Sequence, residues 1–372
     1  MRVRHLLKGL GPGGAERLVV AQATASGVAS HDVVFLLKEK DHLVSLLEAA
    51  DVAHHCLDSS SAARPTWMRK LRRLLKDDPV DILHIHSPAL AAVSRLLVMT
   101  LRRQYRPLVI STEHNRWPRH HRVTRLANRL TIRLQAATIA VSDDVKATVR
   151  GVDQRHVAVI VHGIDLDAVR DTADRAAVRT ELDLGDDDIV VVGVANLRRE
   201  KSLDVLVAAA SQALAAEPRL RYVLVGQGPL AADLDRWIEE AGIGDRFTAL
   251  GYRADATRVV SGADVFTLSS SHEGLPVAMM EALALGLPIV ATAAGGVPVG
   301  AGSAGLISPI GDAAALASNH LAVATDADRR AQLASQARIE SERFELRRAV
   351  PEIEALYAAT ISGRAERDSS HS

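Results

Sequence analysis

The first half of the chain alternates short runs of β-branched and other apolar residues with longer segments whose apolar positions recur at helical spacing. VRHLL (3–7) precedes AERLVVAQATAS (15–26), and DILHIH (81–86) precedes ALAAVSRLLVMTL (89–101). This alternation predicts a parallel sheet flanked by helices. Further strands are predicted by the runs DVVFLL (32–37), PLVIST (107–112), ATIAVS (137–142) and VAVIV (157–161).

The alternation starts again in the second half of the chain. Its predicted strands are IVVVGVA (189–195), RYVLVG (221–226), RFTALG (246–251), DVFTLS (264–269) and LPIVAT (287–292). The fold class is therefore α/β, with two doubly wound Rossmann-like domains facing a central cleft. We expect domains at 1–165 and 186–343, a linker at 166–185, a C-terminal helix at 344–362 and a disordered tail at 363–372.

Composition narrows the classes of function. Aromatic residues make up only 3% of the 372 residues, so an aromatic platform for single-stranded nucleic acid is not expected. Cys56 is the one cysteine and cannot form an internal disulfide, which favours a reducing compartment and a cytoplasmic location.

The net charge of zero conceals two halves of opposite sign. Residues 1–150 hold 24 Lys and Arg against 13 Asp and Glu, and the remainder holds 21 against 32. Residues 102–133 alone contain nine arginines and one acidic residue. A basic half indicates an anionic partner, such as a membrane surface or a charged substrate. No recognition motif for nucleic acid accompanies the charge, so nucleic acid is not expected as a partner.

A basic amphipathic helix is predicted at ARPTWMRKLRRLLKDD (63–78). Trp67, Leu71, Leu74 and Leu75 share one face of it. Two interpretations remain open: the helix lies on an anionic membrane, or its apolar face packs on the sheet and its charges are solvated. Under the first, the membrane or acceptor surface comprises Trp67, Arg69, Lys70, Arg72 and Arg73, together with Arg116 and Arg119 from the arginine-rich segment.

The most informative segment is SSSHEGLPVAMMEALALGLPIVAT (269–292). Glu273 follows a strand end in a loop, Pro276 suits the first turn of a helix, and Glu281 falls on that helix eight residues after Glu273. The free N–H groups near Leu275 to Val277 would face an anion. Glu281 would then reach a ribose diol and Glu273 sugar hydroxyls, unless Glu273 merely caps the helix and Glu281 is solvated.

This segment resembles the Glu-x7-Glu motif of the retaining glycosyltransferases of family 4, which have the GT-B fold. Other segments resemble that family in the same order along nearly the whole chain. They are GLGPGGAERLVV (9–20), DILHIHS (81–87), AVSDDVK (140–146), HGID (162–165), VANLRREKSLDVLVAA (194–209), LVGQGPLAADL (224–234) and GLPIVATAAGGVP (286–298).

The resemblance implies a sugar-nucleotide-dependent, metal-independent hexosyltransferase that retains anomeric configuration and needs no cofactor. Its donor is a nucleotide-diphosphate sugar, bound by the C-terminal domain. Its acceptor is a glycolipid, polysaccharide precursor or similar glycan or lipid-linked molecule, bound by the N-terminal domain. Such an enzyme would serve cell-envelope or exopolysaccharide biosynthesis, as a peripheral protein on the inner face of the cell membrane. The C-terminal helix is expected to cross back to the N-terminal domain.

The resemblance also assigns roles to residues. His114, in STEHNRW (111–117), Glu273 and Lys201 are the expected catalytic residues, with Lys201 pairing with the donor diphosphate. Gly13 and Gly14 let backbone N–H groups approach the donor. The remaining expected donor-binding residues are Asn196, Arg198, Gly274, Leu275, Pro276, Val277 and Glu281.

Three features depart from the family pattern. Asn196 stands where the family commonly has Arg, Val299 where it often has Glu, and the loop at 296–309 is short. Arg198, two residues after Asn196, would supply the missing charge, although its side chain would point in a different direction. These departures leave open a catalytically degenerate GT-B-like binding subunit as an alternative to an active transferase. A further alternative is another enzyme with the GT-B fold, a non-hydrolysing sugar-nucleotide epimerase.

A metal site is not expected from the sequence. His84 and His86 share a strand face, but the spacing of the sequence offers no third ligand beside them.

Overall fold

The computed structural model describes residues 1–25, 27–59 and 65–369. The chain divides into two compact units. The first comprises Met1–Gly163 and the segment from Leu346 onward, and the second comprises Ile164–Glu345.

The first unit is built on a seven-stranded parallel sheet in the order β3-β2-β1-β4-β5-β6-β7. The strands are β1 (Arg2–Leu7), β2 (Ser30–Phe35), β3 (Ala53–Cys56), β4 (Ile82–Ile85), β5 (Leu108–Glu113), β6 (Ala137–Ala140) and β7 (Val157–Val159). The helices between them are α1 (Gly14–Ala25), α2 (Val44–Ala49), α3 (Thr66–Asp77), α4 (Pro88–Met99), α5 (Arg122–Thr131) and α6 (Asp143–Lys146).

Helix α3 is the predicted basic amphipathic helix, and its apolar face packs in the core. Trp67, Leu71 and Leu75 are at most 1% exposed and lie in one cluster with Leu83 and Ile85 of β4. The assignment of Trp67 to a membrane surface is therefore wrong, because burial against the sheet removes this apolar face from water. Residues 63 and 64, the predicted start of the helix, lie outside the described residues.

The second unit has a six-stranded parallel sheet in the order β10-β9-β8-β11-β12-β13. Its strands are β8 (Ile189–Val194), β9 (Leu220–Val225), β10 (Phe247–Gly251), β11 (Val265–Leu268), β12 (Ile289–Thr292) and β13 (Gly305–Ser308). Its helices are α7 (Leu166–Asp171), α8 (Arg175–Glu181), α9 (Leu203–Ala216), α10 (Ala231–Glu240), α11 (Ala256–Ser261), α12 (Val277–Ala284), α13 (Val297–Ala301), α14 (Ala313–Thr325) and α15 (Ala327–Ser341).

The segment predicted as a linker is folded into the second unit. Residues 166–185 include α7 and α8, and Arg175 and Arg179 of α8 both contact the carboxylate of Asp264 just ahead of β11. Two ion pairs to one partly buried carboxylate hold this segment on the unit.

The last helix, α16 (Leu346–Ser369), belongs to the first unit. Its residues Ile353 and Tyr357 are buried in one cluster with Val3 and Ile82. The helix continues past residue 363, so the disordered tail predicted from that position is wrong through residue 369; residues 370–372 lie outside the described part of the chain.

Candidate functional site

Two loops of the second unit meet at the ends of β8 and β11. Lys201 lies in the turn that leads into α9, and Glu273 lies in the loop that leads into α12. Lys201 Nζ donates to Glu273 Oε1 at 2.6 Å, and Ser270 Oγ donates to the same oxygen at 2.5 Å. The two side chains are 18% and 10% exposed, so this charge-assisted pair is largely shielded from water.

Hydrogen bonds to the main chain join the same two loops. Ser269 Oγ donates to the carbonyl of Lys201 at 2.8 Å, and the amide of Ser271 donates to the carbonyl of Glu200 at 2.9 Å. Ser202, directly after Lys201, has a φ of 46°, a left-handed conformation that is strained for a residue with a Cβ. The Lys201 and Glu273 loops therefore form one connected site held by backbone contacts.

Two glycines after β12 pack directly against the backbone of the Glu273 loop. A Cβ on Gly295 would lie 2.0 Å from the carbonyl oxygen of Glu273, and Gly295 has a φ of 56°. A Cβ on Gly296 would lie 2.5 Å from the carbonyl oxygen of Gly274, to which the Gly296 amide donates at 2.9 Å. Only glycine permits this approach, so the glycine pair determines where Glu273 lies.

Helix α12 begins at Val277, with Pro276 as its N-cap in an extended conformation. Of the expected donor-binding residues in this stretch, Gly274, Leu275 and Pro276 are half-buried and Val277 is buried. Glu281 is half-buried on the same helix. The first turn of a helix presents N–H groups and a partial positive charge, which suits an anionic ligand beside Lys201.

Asn196 and Arg198 are exposed on the loop after β8, on either side of the buried Leu197. The turn after β9 anchors this loop, since the Leu197 amide donates to the carbonyl of Gln227 at 2.9 Å. A Cβ on Gly228 would lie 2.5 Å from the Leu197 carbonyl oxygen, so glycine is needed for this contact. The two polar side chains are thereby left on the surface at the same end of the sheet as Lys201.

The segment 296–309, expected from the sequence to be a short loop, instead contains α13 and β13 and packs against α15. Val299 is 72% exposed, and its carbonyl accepts a hydrogen bond from Arg343 at 2.9 Å. The amide of Ser303 donates to Glu340 at 2.9 Å. Val299 thus presents an apolar side chain to solvent at a position where the family often has a carboxylate.

In the first unit, the expected residues follow strands β1 and β5. Gly13 and Gly14 are half-buried at the start of α1, where a Cβ on Gly13 would lie 2.3 Å from a carboxylate oxygen of Glu16. His114 directly follows β5, is half-buried, and has an Nε2 that finds no hydrogen-bond partner among the described residues. Burial lowers the pKa of His114 to about 3, and His162 adds to the shift, so its imidazole is neutral.

Sequence reasoning missed a row of histidines leading to His114. The rings of His86 and His114 are 5.7 Å apart, and those of His114 and His162 are 5.4 Å apart. His5 joins the row from β1, where it is the register partner of His84. The local sequence shows the alternation within each strand, but it does not show which strands are neighbours, so the pairing of β1 with β4 was the missing information.

Glu113, next to His114, is a second buried titratable group that the sequence did not single out. It is 1% exposed, and its Oε2 is 3.7 Å from His120 Nε2. Burial raises its pKa to about 7, against the lowering effect of Arg95.

Trp67 is buried, but the basic residues of the expected membrane or acceptor surface are all exposed. They are Arg69, Lys70, Arg72, Arg73, Arg116 and Arg119. An apolar surface that the sequence did not single out lies nearby on α5, where Val123, Leu126 and Leu130 are 69%, 58% and 71% exposed. In the described ranges, no helix has both the length and the hydropathy to cross a membrane.

Comparison with known proteins places both units in known groups. Residues 12–168 match the sequence model described as Glycosyltransferase Family 4, and residues 174–340 match the one described as Glycosyl transferases group 1. A D-inositol 3-phosphate glycosyltransferase of Stackebrandtia nassauensis is 34% identical over 227 residues, which are 57% of this chain and 51% of that protein. The putative colanic acid biosynthesis glycosyltransferase WcaL of Salmonella typhimurium is 36% identical over 137 residues, 34% of either chain.

These matches span from about a third to half of the length of the two curated relatives. Among solved structures, the Anabaena protein HepE in complex with UDP and glucose superposes with a TM-score of 0.83 at 21% identity, over 96% of this chain and 99% of that one. The fold is therefore GT-B. With one sequence model matching each unit, the chain belongs to the glycosyltransferases of family 4.

Proposed function

We propose that the protein is a retaining glycosyltransferase that moves a sugar from a nucleotide-diphosphate sugar to a glycan or lipid-linked acceptor of envelope or exopolysaccharide biosynthesis. The observation that carries the proposal is the shielded Lys201–Glu273 pair, held by two cross-linked loops beside the start of α12. Relatives named as glycosyltransferases, one of them for colanic acid biosynthesis, support the class of reaction.

The chemistry of the transfer fits this site. Breaking the bond between sugar and diphosphate places negative charge on the leaving group and positive charge on the sugar. Lys201 and the N–H groups of the first turn of α12 are fixed donors for the leaving diphosphate, and fixed donors in a shielded site stabilise developing charge strongly. Arg198, on the adjoining loop, adds a cation where Asn196 cannot.

Glu273 has two roles in this proposal. Without a donor it neutralises Lys201, with which it shares a hydrogen bond of 2.6 Å. With a donor, the diphosphate competes for Lys201, and the carboxylate of Glu273 accepts hydrogen bonds from sugar hydroxyls. Glu281, half-buried on α12, would bind the ribose diol. Retention proceeds by attack on the same face of the sugar, so Glu273 acts without becoming a covalent nucleophile.

His114 contributes from the first unit as a neutral group. An imidazole with a pKa of about 3 can donate a hydrogen bond to a sugar hydroxyl or accept one from it, but it does not carry charge at neutral pH. The resemblance to the family also assigns Gly13 and Gly14, at the start of α1, to the donor.

The solved structures with the same fold suggest the base of the donor. HepE was crystallised with UDP and with UDP-glucose. We therefore propose a UDP-sugar, with UDP-glucose as the first compound to test.

The decisive experiment measures both binding and turnover. At about 100 times its dissociation constant, UDP should stabilise the protein by about 2.7 kcal/mol, visible as a thermal shift. Lys201→Ala and Glu281→Ala should abolish the shift. UDP release from UDP-glucose, alone and with lipid-linked acceptors, then separates the possibilities. Binding without release or transfer would favour the degenerate subunit, and conversion of the UDP-sugar without an acceptor or UDP release would favour an epimerase.

We further propose that the protein binds an anionic membrane through α5 rather than α3. Val123, Leu126 and Leu130 form an exposed apolar stripe, and Arg122 and Arg129 are exposed beside it. An apolar stripe bordered by arginines suits the interface of an anionic bilayer. A neighbouring groove of about 500 Å³ between α3, α4 and α5 is lined by Met68, Arg69, Arg72, Val93, Leu96 and Ala127, among others.

A further inference from the structure

Six buried or half-buried histidines form a continuous row in the first unit. Adjacent ring centroids are 4.1 to 5.7 Å apart. In order along the row, the residues are His31, His5, His86, His114 and His162, with His84 beside His5 and His86. Each ring of this row brings two polar nitrogens into a region shielded from water, and such nitrogens are costly to bury unless a hydrogen bond or another ligand satisfies them.

Three members of the row converge at one point. His5 on β1, His84 on β4 and His86 just after β4 are each at most 8% exposed. One ring nitrogen from each lies within 4.8 Å of the other two, and His5 Nδ1 is 3.0 Å from His86 Nε2. Two nitrogens bound to one tetrahedral zinc ion at about 2.0–2.1 Å are about 3.3–3.4 Å apart. The His5–His86 pair therefore needs to open by only a few tenths of an ångström.

We propose that His5, His84 and His86 bind one divalent transition-metal ion, with zinc the best match. Three imidazole nitrogens are a ligand set that zinc accepts, and the fourth position is left for a water molecule. The ion would tie strand β1 to strand β4 beside His114. This inference does not depend on the proposed transferase activity.

Neighbouring groups orient the ligand rings. His31 Nδ1 is 2.8 Å from His5 Nε2, so His31 fixes the His5 ring while Nδ1 of His5 faces the ion. His84 is held from both sides, by the Thr112 hydroxyl at 2.7 Å and the Tyr357 hydroxyl at 2.5 Å. One of these two bonds is given up when His84 binds the ion, and the other remains as its support. Such outer partners typically tune metal affinity 10- to 100-fold.

Among the described residues, the hydrogen bonds of the row leave one nitrogen of His86, Nδ1, unused. When His86 carries its proton on Nδ1 and His5 carries its proton on Nε2, facing His31 Nδ1, the two facing nitrogens are both free for the ion and no proton is lost.

The experiment uses the full chain, purified without a polyhistidine tag from zinc-supplemented medium. After dialysis, elemental analysis should find about one zinc per chain. Cobalt(II) added to protein stripped of metal should give the intense visible bands of a tetrahedral site. Zinc at about 100 times its dissociation constant should raise the Tm of the stripped protein by roughly 5–10 °C.

Variants locate the site. His86→Asn should lose the zinc and the cobalt bands, whereas His156→Asn, which removes an exposed histidine of the same unit, should keep both. His31→Asn removes the support of His5 and should weaken zinc binding by about 10- to 100-fold. If His86→Asn fails to fold by circular dichroism, the wild-type cobalt spectrum and the His31→Asn affinity decide. Wild-type protein with neither zinc nor cobalt bands would overturn the proposal, as would equal loss of metal in His156→Asn.

Discussion

Lys201 and Glu273 are the residues on which donor binding should depend most directly. Replacing Lys201 by Met removes the cation that the proposed function assigns to the leaving diphosphate, and it leaves the Glu273 carboxylate, 10% exposed, without that partner. We expect kcat/KM for the UDP-sugar to fall by about 10²- to 10³-fold. Steady-state kinetics measures this loss.

Arg199→Met is the matched control for Lys201→Met, because Arg199 is an exposed cation in the same turn. Its effect on kcat/KM should be small. Equal kcat/KM values for Lys201→Met and wild type would remove Lys201 from the site.

His320 should make the second unit sensitive to acid. It is buried on α14, hydrogen-bonded to Tyr222 at 3.1 Å and Thr267 at 2.9 Å, and burial lowers its pKa to about 3. The folded-state pKa lies below the unfolded value, so the unfolded chain takes up the proton first. The contribution of His320 to stability is therefore present above about pH 6.5 and is lost as the pH falls toward 3, by about 1.4 kcal/mol per pH unit.

Urea unfolding from pH 7 to pH 4.5 tests this expectation. His320→Asn should lower stability at pH 7 and also flatten its pH dependence by about 1 kcal/mol per pH unit. His156→Asn, which removes an exposed histidine, should leave the slope unchanged. An unaltered slope in His320→Asn would show that this imidazole is protonated equally in both states.

At the scale of elements, the loop after β12 packs closely on the Glu273 loop at Gly295. Gly295→Ala places a Cβ 2.0 Å from the Glu273 carbonyl oxygen at a φ of 56°. Gly242 also has a positive φ, of 63°, but nothing lies within 4 Å of its Cβ position. We expect Gly242→Ala to cost about 1 kcal/mol and Gly295→Ala about 2–4 kcal/mol, measured by denaturant unfolding.

Only Gly295→Ala should also weaken UDP binding, because it moves the Glu273 loop. Calorimetry on both variants separates this effect from backbone strain. Equal UDP affinities would mean that the Glu273 loop tolerates the displacement.

Helix α5 carries the prediction about membrane binding. The double variant Leu126→Glu, Leu130→Glu changes side chains that are 58% and 71% exposed, so its free energy of unfolding should stay within about 1 kcal/mol of wild type. Its binding to phosphatidylglycerol-containing vesicles should fall at least about 10-fold, because apolar insertion and arginine attraction act together. Cosedimentation with the vesicles measures the change.

Ile339→Glu on α15 is the control for this double variant, since Ile339 is 61% exposed on the second unit. It should bind vesicles like wild type. If the wild-type protein does not cosediment with anionic vesicles, α5 is excluded as a docking surface.

Elements differ in how far their sequence determines their surroundings. The strand and helix alternation predicted both parallel sheets and located Lys201 and Glu273 at strand ends, because carboxyl ends of parallel strands share an edge. The amphipathic pattern of α3 did not reveal whether Trp67 faces a membrane or a sheet, since both are apolar. The convergence of His5 with His84 was not predictable, because it depends on which strands pair.

At the scale of the molecule, the chain passes from the first unit to the second at residues 163–164 and returns at 345–346. Helix α16 completes the first unit. The Tyr357 hydroxyl accepts a hydrogen bond from Gln22 at 2.9 Å and lies 2.5 Å from His84 Nδ1. Truncation after residue 345 removes both contacts and opens the core around Val3 and Ile82. It should therefore destabilise the first unit selectively, which hydrogen exchange resolved by segment can measure.

The second unit, in contrast, is formed by one continuous segment with its own core. The helices α9 and α14 and the strands β8 and β9 contribute to a single buried cluster inside residues 164–345. Lys201, Glu273 and Glu281 all lie within that segment. A fragment of residues 164–345 should therefore fold alone and bind UDP within about 10-fold of the full chain, or about 1.4 kcal/mol. It should transfer no sugar, because the proposed function also assigns a role to His114 of the first unit. Calorimetry with UDP measures this affinity, and a folded fragment that does not bind UDP would show that the nucleotide needs residues of the first unit as well.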